Sequence, residues 1–155
     1  DNKSNIANQK VYLFIGTSDT TVGQNPVTAL KTQYTNNGVT AANTAKDGTG
    51  TLDTVFTSDA TNGSYLQKLT VRPRGSNVAS VLRVFLNNGA SNATPANNVL
   101  IAEVTLVATT LSESAALSGY EVPINIPVPP GYRVMVALGT AVAGGYAISG
   151  FGGDY

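Results

Sequence analysis

The sequence predicts an all-β protein: an antiparallel β-sandwich or jelly roll of about eight or nine strands with an extended N-terminal arm. Three observations predict it. Apolar residues recur with a period of two, which places them on one face of a strand. Turn residues separate these runs at even spacing. No stretch sustains the i, i+3, i+4, i+7 spacing of an amphipathic helix between capping signals.

The expected strands cover residues 10–16, 28–35, 50–57, 64–72, 79–87, 99–107, 119–128, 131–138 and 145–151. In the fourth, Gln67, Leu69 and Val71 alternate with Lys68, Thr70 and Arg72. In the fifth, Val81, Arg83 and Phe85 alternate with Leu82, Val84 and Leu86. In the eighth, Tyr132, Val134, Val136 and Leu138 alternate with Arg133, Met135 and Ala137. Asn37-Gly38, Asn62-Gly63 and Asn88-Gly89 are expected tight turns, because Asn and Gly tolerate positive φ. Asp47-Gly48, Gly144-Gly145 and Pro129-Pro130-Gly131 punctuate the chain in the same way. Pro123 and Pro127 share one strand; proline cannot donate to a ladder, so that strand belongs at an edge or carries a bulge.

Residues 1–45 differ from the rest. They hold one apolar strand, Val11–Ile15, followed by a weakly alternating Thr/Asn/Gly stretch. They are read as an arm or added strands, and residues 46–155 as the β-sandwich core.

Composition closes several reaction classes. The chain has no cysteine and no histidine. Thiolate chemistry, disulfides, Cys-ligated metal sites and the familiar serine or cysteine triads therefore cannot be built. The usual general base near neutral pH is absent too. Nine basic and nine acidic side chains balance, and charged residues are only 12% of the total. No attraction to nucleic acid is expected, and no apolar run is long enough for a membrane span. The first ten residues, DNKSNIANQK, lack the apolar stretch of a signal peptide. A neutral, weakly charged surface resists self-association poorly, which suits a subunit meant to assemble.

The remaining motifs carry little chemistry. A glycosidase would need two carboxylates flanking a sugar bond, together with aromatic platforms, and the chain has no tryptophan and four phenylalanines. Asp47-Gly-Thr-Gly-Thr-Leu-Asp53 resembles a calcium loop but lacks the Asx ligands at its third and fifth positions and the closing Glu. No catalytic residue, cofactor or metal is expected. Arg72, Arg74 and Arg83, with Lys68 nearby, are candidates for a small basic face that contacts a neighbouring subunit. Phe151 and Tyr155 are candidate apolar contacts, on a last strand paired within the sheet and with Tyr155 anchored. Val11, Tyr12 and Phe14 are the candidate contacts of the arm.

The segments AANTAKDGTGTLDTVFT, GSNVASVLRVFLNNGASNATPANNVLIAEVTLVATTLSESAAL and IPVPPGYRVMVALGTAVAGGYAISGFGGDY resemble a group of small proteins encoded among tailed-bacteriophage structural genes. The likeness covers about 110 residues and is one of strands and turns, with no functional motif. It implies a virion component, a capsid decoration (cement) protein located on the capsid surface. It further implies a homotrimer that bridges subunits of the major capsid protein. The likeness does not extend to the arm, which would add contact area if it ordered on the shell, at an entropic cost. Two other classes fit the same sequence. One is a receptor- or glycan-binding module of a virion or tail fibre, with Tyr120, Tyr132 and Tyr146 as stacking surfaces, against core packing as the competing job of two of them. The other is a minor tail or connector subunit, or a filament-forming bacterial surface protein.

Overall fold

A computed structural model describes residues 31–155. The expected strand 10–16, and with it Val11, Tyr12 and Phe14, lies outside the described residues. Eight strands follow in order: β1 (Lys31–Val39), β2 (Asp53–Thr57), β3 (Ser64–Pro73), β4 (Ser80–Asn87), β5 (Asn98–Leu106), β6 (Tyr120–Val128), β7 (Arg133–Leu138) and β8 (Tyr146–Asp154). The described helical content is a single 3-10 turn, Pro95–Asn97.

The strands form two antiparallel four-stranded sheets, ordered β1-β8-β3-β6 and β2-β7-β4-β5. Only the β4–β5 connection stays within one sheet; every other connection crosses to the opposite sheet. This is jelly-roll connectivity. β1 is hydrogen-bonded to β8, so residues 31–39 are an added strand of the sandwich.

The core lies between the sheets. Leu66, Leu69 and Val71 from one sheet meet Leu82, Val84 and Val136 from the other, and all are fully buried. Burying a side chain of this size contributes about 1.5–3 kcal/mol. Tyr146 and Ile148 of β8 complete the layer.

Two bulges explain where the expected alternation slips. β3 gains a residue against β8 between Leu66 and Lys68. Ser64 and Leu66 are therefore buried, Gln67 is exposed, and burial resumes at Leu69. Gln67 does not share the face of Leu69 and Val71, because an extra residue inverts the phase of everything beyond it. β5 gains a residue against β4 near Ile101.

The proline-bearing strand behaves as its sequence requires. β6 is the edge of its sheet. It also carries a bulge between the pairs Leu66–Ile126 and Lys68–Pro123, where Asn125 takes φ 52°. Of the expected turns, Gly63, Gly89, Gly131 and Gly145 all have positive φ. Asn37-Gly38 is a correction. It lies inside β1, where two register shifts against β8 absorb the irregular stretch within the ladder.

The alternation in β4 and β7 suggested one buried and one solvated face. Phe85, Met135 and Ala137 are nonetheless buried, on the side of the sheet away from the central cluster. The segment from Asn43 to Thr51 crosses that outer side. It starts at Asn43, whose N–H donates to Leu138 O, and reaches Asn92 and Asn98 at the far end.

Candidate interaction surface

Asparagines organise the covered side of the β2-β7-β4-β5 sheet. Asn43 Nδ2 donates to the carbonyls of Thr49 at 2.7 Å and Thr51 at 2.9 Å. Asn92 Nδ2 donates to Gly48 and Gly50 carbonyls. Asn98 Nδ2 lies 2.9 Å from Asn92 O and 3.2 Å from Asp47 O. Asn87 Nδ2 donates to Asn98 Oδ1 at 2.8 Å, and Arg133 Nη2 donates to Asn87 Oδ1 at 2.9 Å. An amide offers both donor and acceptor without a charge to desolvate, so it can satisfy buried loop backbone cheaply.

Asp47-Gly48 does the work of a turn. The Asp47 carboxylate accepts from the Thr49 hydroxyl at 2.7 Å and from the Thr49 N–H at 3.0 Å. The hydroxyl, then the amide, hold this carboxyl below its ordinary value. Among the described residues no group of three or more acidic side chains is placed to hold a metal ion, and no helix is long and apolar enough to cross a membrane.

The expected basic face is not assembled. Arg72 lies on β3 and Arg83 on β4, and these strands belong to different sheets. The chain crosses between sheets at Arg74–Ala79, so adjacency in sequence does not become adjacency on a face. Arg83 lies on the covered side, where its Nε meets Glu103 Oε1 at 2.9 Å and its Nη1 donates to Asn43 O at 2.9 Å. Lys68 pairs with Glu121 at 2.9 Å and stands 5.9 Å from the centre of the Phe151 ring. Arg72 and Arg74 are exposed.

β8 pairs with both β1 and β3, as a strand within the sheet. Phe151 is half-buried opposite Lys68. The Tyr155 N–H donates to Gly63 O, but its side chain is 63% exposed. The tether is therefore the backbone, and the expected anchoring of the ring is not found.

The three tyrosines considered as stacking surfaces serve the interior. Tyr146 is fully buried, and Tyr120 and Tyr132 pack against the core. The Tyr120 hydroxyl accepts from the Val107 N–H at 2.9 Å. Burial pushes the Tyr146 phenol up, and Tyr120 adds to the shift. The small opposing pull comes from Asn77, whose side chain is committed to the backbone of Gly144 and Gly145.

The surface that the sequence reading missed lies at the end where the β3–β4, β5–β6 and β7–β8 connections gather. Asn77 and Thr109 exchange backbone hydrogen bonds, and Leu111 N–H donates to Ser76 Oγ. On these joined segments Val78, Val107 and Leu111 are each more than half exposed. Arg74 and Glu113 are the only charged side chains on the three connections, residues 74–79, 107–119 and 139–145. An open depression of about 390 Å³ adjoins this end, bordered by Ser80, Val81, Arg83, Thr105 and Thr140. Val78 precedes the expected strand 79–87 and Val107 ends the expected strand 99–107, where no pattern distinguishes an inward from an outward side chain.

No family model, curated protein or solved structure was found to match the chain.

Proposed function

We propose that this chain is a non-enzymatic structural protein of a tailed-phage virion, a homotrimeric decoration protein that bridges neighbouring major capsid protein subunits and stabilises the shell. The observation that carries the reading is the nearly uncharged end bearing Val78, Val107 and Leu111. Exposed apolar side chains rimmed by neutral hydroxyls suit a dry contact with a large protein partner. The phage-like segments quoted above and the zero net charge point the same way. Repetition of weak contacts over a lattice supplies avidity.

The test is co-sedimentation with empty shells assembled from a tailed-phage major capsid protein. Wild type should saturate a fixed number of sites. Val78→Asp and Leu111→Asp alter exposed positions, so the fold should survive, and binding should weaken about tenfold or more. Removal of residues 1–30 should also weaken binding while the β core stays folded. Equal occupancy by wild type and both aspartate variants would overturn the assignment of this end.

A further inference from the structure

Among the described residues the four edge strands of the sandwich are not equivalent. β1 is broken by two register shifts. β2 has only five residues and one shift. β6 carries Pro123, Pro127 and the Asn125 bulge. Each of these devices blunts an edge against further pairing. β5 is nine residues long and has no proline. Its one register shift against β4 lies between Val84 and Phe85, and from Ser80–Leu106 to Val84–Ala102 the register is unbroken.

The hydrogen-bond phase shows which groups of β5 face outward. Gly139 N–H donates to Val81 O at 2.8 Å, so Val81 addresses β7. Alternate residues of a central strand address opposite neighbours, so Ser80, Leu82 and Val84 address β5. Their partners include Leu106 and Val104. The backbone groups of Glu103 and Thr105 therefore point away from β4, and β5 is the last strand of its sheet among the described residues. Val107 is next in that outward series, and its N–H is taken by the Tyr120 hydroxyl.

The same side of the sandwich is unfinished in its packing. Ile101 and Val104 of β5, with Ile124 and Ile126 of β6, reach the core but remain half-exposed. An added apolar strand here would satisfy backbone groups and cover these side chains together.

We propose that the occupant is the apolar run Val11–Ile15 of a second copy of this chain, added as a strand along the outward edge of β5. The described chain begins at Lys31 on β1, and β1 packs across from β2, at the side of the sandwich opposite β5. The width of a sheet separates Lys31 from β5 of the same copy. One outer side is already covered by residues 43–51, and the other presents Lys68, Thr70, Arg72 and Glu121. Donor and acceptor on opposite sides instead pass the arm to a neighbour. Such head-to-tail exchange closes into a ring when the rotation permits, and zero net charge puts no repulsion between copies. The inference goes beyond the capsid reading and holds whatever the assembly coats.

The test uses the full chain, whose lack of cysteine makes introduced thiols unambiguous. Single variants Tyr12→Cys and Thr105→Cys are mixed, oxidised and resolved by mass. A disulfide between the two different chains is expected. Thr105→Pro removes an outward N–H at an exposed edge position and should convert the closed oligomer to monomer, with Thr105→Ala retaining it. An intrachain disulfide in the double variant Tyr12→Cys/Thr105→Cys, on a monomer, would overturn the second-copy assignment. Absence of any cross-link, with unchanged mass for Thr105→Pro, would overturn use of the edge. If Thr105→Pro fails to fold, the cross-linking decides alone. Shell binding can fail in every one of these outcomes without touching them, so the two proposals fall separately.

Discussion

Asn87 donates its side-chain amide to the Asn98 side-chain carbonyl at 2.8 Å across the β4–β5 ladder. Both residues are buried outside the central apolar cluster. They join the strands to the loops that cover the outer side of their sheet, because Asn98 also donates to the carbonyls of Asp47 and Asn92. Asn98→Ala should therefore cost more than one hydrogen bond. It leaves the Asn87 amide and the Asp47 and Asn92 carbonyls short of a partner, and a loss of about 1–3 kcal/mol is expected. Urea unfolding of wild type and variant measures it; a loss below half a kcal/mol, roughly the floor for a single bond, would show that water replaces the amide.

Two glycines separate lack of space from backbone conformation. A Cβ on Gly152 would collide with the Tyr65 carbonyl oxygen, at the point where β8 pairs with β3. Neither backbone can retreat without breaking the ladder, so Gly152→Ala should cost about 2 kcal/mol or more. Gly131 has φ +72° and open space around its Cβ position. Gly131→Ala should cost about 1–2 kcal/mol, from the left-handed conformation alone. Thermal unfolding should rank Gly152→Ala as the more damaging; the reverse order would mean that the β8–β3 register can shift.

Tyr146 is fully buried, and beyond a weak interaction with the Asn77 side chain its hydroxyl makes no hydrogen bond of good geometry. Tyr146→Phe should change stability near neutral pH by less than about 1 kcal/mol. The sign at high pH follows from the raised phenol. Its stabilisation is complete below the unfolded value of 10.0. It is lost as pH rises from there through the higher folded value, because the unfolded chain releases its proton first. Stability curves from pH 8 to 12 should show wild type losing ground to Tyr146→Phe only above about 10. Parallel curves would mean that the phenol is as easily ionised in the folded protein as in the unfolded chain.

Much of the fold was legible because strands announce themselves through alternation and turns. Pro123 and Pro127 require an edge position or a bulge, and β6 has both. The phase break at Gln67 was not legible, since a bulge is decided by the partner strand. The burial of Phe85 and Met135 was hidden too, because the cover comes from a loop distant in sequence. Arg72 and Arg83 were read as neighbours because their strands are consecutive. In a jelly roll, consecutive strands mostly lie in opposite sheets, which separated them. The exposed Val78 and Leu111 sit where hydrogen bonds between two connections fix the side chains outward, and no local pattern encodes that.

The most direct test of the proposed decoration role is a density map of empty tailed-phage shells incubated with an excess of the 155-residue chain. The account predicts ordered density on the outer surface, bridging neighbouring capsid subunits, with residues 74–79 and 107–119 seated against the shell. A shell left bare at saturating concentration, or a bound chain with that end turned to solvent, would contradict it.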